Sequence, residues 1–373
     1  MRGLALTPDG SKLVAADFGS QNIYLLDPDK PAIPAVTTSV AATGYNPARV
    51  AATSVQTVFV ALSAEATPSG QCTPCLSRLD LTTDPPTVQS GTQPELTNLT
   101  ASPVVQADAA GDRVFLAFAT PPGGPIGIWS PTQNSFTMSA TSEIASELSA
   151  AADGTLFATV NIGTIETHSV DSNLQSTLVS TLPPADLQQI PGRVSVPGIA
   201  MHPSGALVYQ PFFTGPVPVV PPATGVQGGV DVLDAHTGQL RLRVFLPEPL
   251  AALASDSDGL HAGFIVTDET GQKIFAITTS GLTIVQLTNV PLGIGTVSPS
   301  TVSASGGAAL TIRGSGFQSG TTLTIGGKPI AVTFKDVNTL AAVTPPVSPG
   351  PQQVVLANPD GESITLDAAF TAN

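Results

Sequence analysis

The feature that most constrains the fold is a unit that recurs through the first 290 residues. In its clearest copy Leu4 and Leu6 alternate with other residues, Pro8-Asp9-Gly10 makes a turn, and Leu13-Val14-Ala15-Ala16-Asp17 restarts an extended run. Gly19-Ser20 then turns the chain into Asn22-Ile23-Tyr24-Leu25-Leu26-Asp27, and a fourth run lies between Val36 and Val40. The same order returns from Arg49, Val104, Leu148, Ile199 and Leu253, with turns near residues 10, 54, 111, 154, 205 and 259. A period of roughly 45 to 55 residues, built of four short strands, is the signature of blades arranged around an axis.

The local chemistry agrees. Asp-Gly and Ser-Gly supply the positive φ of a tight hairpin. The second run of each unit, such as Val58-Phe59-Val60-Ala61 or Phe115-Leu116-Ala117, is apolar on both faces, as for a strand covered on both sides. No stretch keeps a helical period. A β-sandwich or β-solenoid would share these turns, but a propeller is the economical reading. The Pro-Asp-Gly turn, the apolar strand ending in Ala-Asp and the third strand closing on Asp resemble the bacterial YVTN and lactonase-like propeller repeats, best over residues 4–27 and next over 199–234.

After Thr288-Asn289-Val290-Pro291 the pattern changes. Ile294 to Pro299, Gly306 to Phe317, Thr322 to Ile330, Val343 to Pro346 and Gln353 to Gly361 follow one another and close on Ala369-Phe370. This order resembles an IPT/TIG domain, an immunoglobulin-like sandwich. Leu323 and Ile325 alternate with threonines, Gly326-Gly327 turns the chain, and Ile330, Val332 and Phe334 are expected to alternate on a single return strand. The expected architecture is all-β: a propeller of six four-stranded blades, or seven with another supplied from outside this numbering, over residues 1–290, and an immunoglobulin-like sandwich over residues 291–373.

Charge and hydropathy bound the partners. With 27 acidic and 13 basic residues the net charge is -14, and Lys and Arg form no cluster that could track a phosphate backbone, so nucleic acid is not an expected partner. Gly and Pro number 35 each, which suggests low complexity, but 42% hydrophobic residues and a mean hydropathy of +0.26 provide enough apolar surface to offset chain entropy. No apolar run approaches the roughly 20 residues that span a bilayer. Met1-Arg2-Gly3-Leu4 reads as strand rather than signal peptide, and the expectation is that this numbering starts inside a longer exported precursor.

Candidate chemistry is sparse. Cys72-Thr73-Pro74-Cys75 sits in a Gly/Pro/Ser segment between two strands and is read as a small structural disulfide. A redox centre would want a helix start, and a zinc site would want two more ligands. Asp256-Ser257-Asp258-Gly259 could hold calcium, but Asp-Gly is also what the recurring turn requires. Asp27, Asp80 and Asp234 recur at the ends of third strands and read as repeat grammar. His168, His202, His236 and His261 lie in different units; Glu166 with His168 is the pair a lactonase or lyase site would use, surface or repeat histidines being the plainer reading. Trp129 is either a ligand platform or, preferably, blade packing. No catalytic, cofactor-binding or metal residue is assigned.

The functional expectation is a bacterial exported, periplasmic or cell-surface binding or structural protein, monomeric and without cofactor. The propeller would meet a protein or carbohydrate, and the IPT/TIG domain would serve as spacer or adhesive module. The alternative is a propeller enzyme of the lactonase or lyase class acting on a small molecule or carbohydrate.

Overall fold

The computed structural model describes residues 3–27, 30, 36–63, 76–83, 85–90, 103–118, 124–143, 145, 147–161, 164–182, 193–195, 198–214, 227–250, 265–278 and 281–373. Strands dominate, and the one helical element among these residues is a 3-10 turn at Ala41–Thr43.

Six antiparallel sheets precede residue 290. The first holds β1 (Gly3–Leu6), β2 (Leu13–Asp17), β3 (Asn22–Leu26) and β4 (Val36–Ser39), and the second β5 (Asn46–Ala52), β6 (Thr57–Ser63), β7 (Leu76–Asp80) and β8 (Thr87–Ser90). The third holds β9 (Pro103–Ala107), β10 (Val114–Phe118), β11 (Gly124–Trp129) and β12 (Phe136–Glu143), and the fourth β13 (Glu147–Ala150), β14 (Leu156–Asn161), β15 (Thr164–Val170) and β16 (Ser176–Leu182). In the fifth, β17 (Arg193–Ser195) and β18 (Ala200–Met201) share one edge of β19 (Leu207–Thr214), followed by β20 (Gln227–Asp234) and β21 (Leu240–Phe245). The sixth contains β22 (Ile265–Thr267), β23 (Lys273–Thr278) and β24 (Gly281–Gln286).

The sixth unit departs from expectation. The turn placed at Asp258-Gly259 lies outside the described residues. β22 leads instead into Asp268-Glu269-Thr270-Gly271, where Gly271 has φ +67° and its N–H donates to the Asp268 carbonyl. That is the turn that joins first and second strands elsewhere, and Lys273–Thr278 accordingly stands between β22 and β24.

The chain divides into two compact units: Met1–Leu178 with Pro197–Ile199 and Leu253–Gly263, and Val179–Val196 with Ala200–Ala252 and Phe264–Asn373. In the first, neighbouring sheets meet through apolar faces. Val14, Ala16, Ile23 and Leu25 pack with Val50, Val58, Val60 and Leu79, while Phe59 meets Trp129 edge-on at 5.1 Å between ring centres. The opposite face of the first sheet carries Leu4 and Leu6, exposed to 65% and 54%. In the second unit the fifth and sixth sheets share a core of Tyr209, Val230, Val232, Ile265, Ile274 and Ala276.

The second unit also contains a sandwich. One sheet runs β25 (Gly293–Ser298), β27 (Ala309–Ser315), β31 (Thr339–Val343) and β30 (Val332–Asp336), and the other β26 (Thr301–Val302), β33 (Ser363–Ala372), β32 (Gly350–Ala357), β28 (Thr322–Ile325) and β29 (Lys328–Ile330). Alternation puts Leu310, Ile312, Leu323, Ile325, Leu340, Val354 and Leu356 inside. The Gly326-Gly327 hairpin forms as expected, both residues at positive φ. The return strand does not stay whole: β29 pairs with β28, and after Ala331 the chain crosses to the other sheet, where β30 pairs with β31. Ile330 and Phe334 therefore lie on strands of different sheets.

Candidate functional site: two unlike ends of the sheets

Because each sheet is a meander, its connections fall at two ends. First-to-second and third-to-fourth turns lie at one end; second-to-third connections and crossovers to the next sheet lie at the other.

The first end is built from tight, repeated turns. In 7–12, 108–113, 151–156, 202–207 and 268–273 the first N–H donates to the sixth carbonyl, and a glycine at the fourth position donates back to the first. Those glycines, Gly10, Gly111, Gly154, Gly205 and Gly271, have φ between +63° and +78°. The second sheet uses a shorter loop, Thr53–Thr57, with Gln56 at φ +55°. Third strands close on aspartates whose carboxylates accept the following N–H groups: Asp80 from Thr82 at 2.8 Å, Asp171 from Asn173 at 2.9 Å, Asp234 from Thr237 at 2.8 Å. The recurrence of Asp80 and Asp234 is thus turn chemistry, and Asp27 pairs with Lys30 at 3.3 Å.

Neighbouring turns are also tied to one another. Ser54 N–H donates to the Gly111 carbonyl at 2.9 Å, Ser54 Oγ to Asp112 at 2.7 Å, and Arg113 Nη1 to the Gly154 carbonyl at 2.5 Å. Asp108, buried among these turns, is pushed up to about 6 by desolvation. In the second unit His202 Nε2 donates to the Thr270 carbonyl at 3.3 Å and Tyr209 Oη to the Gly271 carbonyl at 3.3 Å.

The other end is where the chain spends its length. Between β6 and β7 the connection is 64–75, between β8 and β9 it is 91–102, between β19 and β20 it is 215–226, and between β21 and β22 it is 246–264. At this end of the fourth sheet Glu147 opens β13 and is buried. Its Oε2 accepts the Gly198 N–H and, at 2.7 Å, the Ile199 N–H. Burial pushes Glu147 up to about 7, the two N–H donors and the charge of Arg49 on β5 pulling the other way. Nothing in the sequence singled this residue out. The only signal is an acid heading the otherwise small and apolar strand Glu147-Leu148-Ser149-Ala150.

The structure does not gather the other candidates. Glu166 and His168 share one face of β15, Oε2 to Nε2 at 3.8 Å, but His168 is buried and stacked on Phe157, ring centres 4.8 Å apart. Desolvation lowers it to about 4. His202 and His236 both belong to turns of the fifth sheet, and His236 Nε2 donates to the Gly295 carbonyl at 2.8 Å. Trp129 is wholly buried in sheet packing. Cys72, Cys75, His261 and Asp256 to Gly259 lie outside the described residues. Among the described residues no three His, Cys, Asp or Glu side chains come together in a way that could hold a metal ion.

Comparison with known families decides the sandwich: the model of the IPT/TIG domain matches residues 292–372. Residues 292–372 are an IPT/TIG domain. The solved structures that the chain resembles include a β-propeller. The β-propeller domain of Myceliophteria thermophila Cps50 (Swd1) aligns with a TM-score of 0.53 and 13% identity, over 77% of this chain and 83% of that one. Hydrazine synthase of Kuenenia stuttgartiensis aligns at 0.50 and 12%, over 76% of each chain. A putative 6-phosphogluconolactonase from Bacteroides uniformis aligns at 0.47 and 14%, over 76% and 79%. No curated protein matches. At such identities the first two likenesses speak for the fold alone. The antiparallel sheets ahead of the IPT/TIG domain are propeller blades, and no helix among the described residues is long and apolar enough to cross a membrane.

Proposed function

We propose that this chain is an exported or cell-surface binding protein whose protein or carbohydrate partner meets the blades at their loop ends. The observation that carries the reading is the inequality of the two ends. The first-to-second turns at one end are short, several third-to-fourth turns there are capped by their own aspartates, and those of the second to fourth sheets and of the fifth and sixth are bonded to one another, which leaves little of their backbone free for a ligand. Connections at the other end include 64–75, 91–102 and 215–226, long enough to carry specificity on a rigid scaffold. The IPT/TIG domain and the scarcity of Lys support a place outside the cytoplasm, where a Cys72–Cys75 disulfide would persist. A propeller enzyme would need acids and histidines at the loop ends. Glu147 is there, but its carboxylate is engaged by backbone N–H groups.

The test combines location and loop replacement. Mass spectrometry of fractionated source cells should find the chain in the envelope or medium, with Cys72 and Cys75 protected from alkylation. Binding of the purified chain to envelope polysaccharide and protein fractions should be lost when 64–75 and 215–226 are replaced by Gly-Ser segments, and kept in Thr82→Ala and Thr237→Ala. A cytosolic chain with two free thiols, or binding that survives both loop replacements, would overturn the proposal.

A further inference from the structure

A spacer module needs slack at its joint, and this joint has none. Val290 is packed in the core of the fifth and sixth blades, while Leu292 is already in the core of the sandwich. Pro291 lies between them, and its carbonyl accepts Ser315 Oγ at 2.8 Å. The first strand of the sandwich then runs against the fifth blade. A Cβ on Gly295 would stand 1.9 Å from the Ser204 carbonyl oxygen, and one on Gly293 would stand 3.0 Å from Ala206 Cβ. No side chain fits at Gly295, so its backbone is seated directly on the blade turn, and His236 donates to its carbonyl.

Two polar ties fasten the periphery. Arg241 on β21 donates through Nη2 to Glu362 Oε1 at 2.7 Å, and Glu362 Oε2 accepts the Leu292 N–H at 3.1 Å. Glu362 itself is held: its N–H donates to Asp360 and its carbonyl accepts from Asn358 in the turn between β32 and β33. One carboxylate therefore joins a blade strand, the joint and a sandwich turn. Asn338 Nδ2 adds a bond to the Glu269 carbonyl, in the tight turn of the sixth blade, at 2.8 Å.

We propose that the fifth and sixth blades and the IPT/TIG domain form one cooperative unit, with Glu362 as its clasp, so that the domain is a rigid extension of the blades and not a spacer. The inference stands on these contacts and is independent of what the loops bind. Its consequence is geometric: anything the sandwich binds is presented at a fixed distance and angle from the ends of blades five and six.

Hydrogen exchange of the full chain in increasing urea, read by mass spectrometry, tests this. In the native chain, peptides from β19 to β21 and from β27 and β32 should lose protection at the same urea concentration. Glu362→Ala should lower the folded-to-open ratio of peptides covering Leu240–Phe245, which contain no changed residue, by about tenfold, and the exchanged pair R241E with E362R should recover only the share owed to the ion pair, since an arginine cannot accept the Leu292 N–H. Gly295→Val should split the single loss into two steps. The proposal fails if the native sandwich stays protected at urea concentrations where the blade strands have opened, with Glu362→Ala altering sandwich peptides alone. The native comparison stands even where a variant does not fold.

Discussion

Arg243 reaches across the fifth blade to Asp231, Nε to Oδ1 at 2.6 Å and Nη2 to Oδ2 at 3.1 Å, and the aspartate side chain is wholly buried. The guanidinium also lies over the Phe212 ring, 5.3 Å from its centre. A two-point fork of this kind satisfies both charges only while both partners remain. Asp231→Ala would strand a mostly buried guanidinium and should cost about 3 kcal/mol, seen by calorimetry as earlier melting of the second unit. Replacing both, as Asp231→Leu with Arg243→Met, should be milder than the single change. A double variant as damaged as Asp231→Ala would refute the pairing argument.

His202 sets a pH dependence of definite sign. Its Nδ1 accepts the Ser204 N–H at 3.1 Å and lies 2.8 Å from Ser204 Oγ, and its Nε2 donates to the Thr270 carbonyl, so the neutral ring already satisfies its partners. Burial lowers the group from 6.5 to about 4 against smaller opposing pulls from the Thr270 carbonyl and Asp268. Between these values the unfolded chain binds a proton that the folded chain does not. The contribution is therefore complete above pH 6.5 and lost as pH falls through about 4, some ~3 kcal/mol in all. His202→Gln should melt earlier at pH 7.5 and show a flatter decline from pH 6.5 to 4. A decline as steep as that of the native chain would remove His202 as its source.

How far these features could be read in the sequence depends on range. Gly10, Gly111, Gly154 and Gly205 announce their turns because the positive φ and the apolar run that follows are both local. The sixth unit offers two turns of the same composition: Asp258-Gly259 lies outside the described residues, while Asp268 to Gly271 makes the turn that joins β22 to β23. The sheet change after Ala331 was invisible because Ile330, Val332 and Phe334 keep one alternation through it. Glu147, Arg241 and Glu362 were illegible for a different reason. Each acts on groups far away in the chain, at Gly198, Glu362 and Leu292, and a lone charged residue carries no mark of its distant partner.

Glu147 has the opposite pH sign to His202. Burial raises it from 4.5 to about 7, so the folded chain keeps a proton that the unfolded chain has released. Its contribution is complete below pH 4.5 and is lost as pH rises through 7. Glu147→Gln keeps an oxygen for the Gly198 and Ile199 N–H groups and cannot ionise. It should match the native melting temperature near pH 4.5 and exceed it above pH 7, by the equivalent of roughly 3 kcal/mol at most. Equal curves at pH 8 would mean that the folded carboxylate ionises freely, and the Arg49 charge would then outweigh burial.

Gly10 and Gly111 separate backbone strain from close approach within one repeated turn. Both are left-handed, at φ +72° and +69°. A Cβ on Gly10 would meet nothing within 4 Å, whereas one on Gly111 would stand 2.4 Å from Pro8 Cγ and 2.5 Å from Ser54 N. Gly10→Ala should therefore pay only for the left-handed conformation, about 1 kcal/mol. Gly111→Ala carries the same strain and must also push the Ser54 backbone away, breaking the bond from Ser54 N–H to the Gly111 carbonyl that ties the second blade's turn to the third. Its cost should be at least twice that of Gly10→Ala, and protection of the Ser54 amide against exchange should fall in this variant alone. If both alanines cost the same and Ser54 stays protected, the turns of neighbouring blades are packed less closely than these distances require.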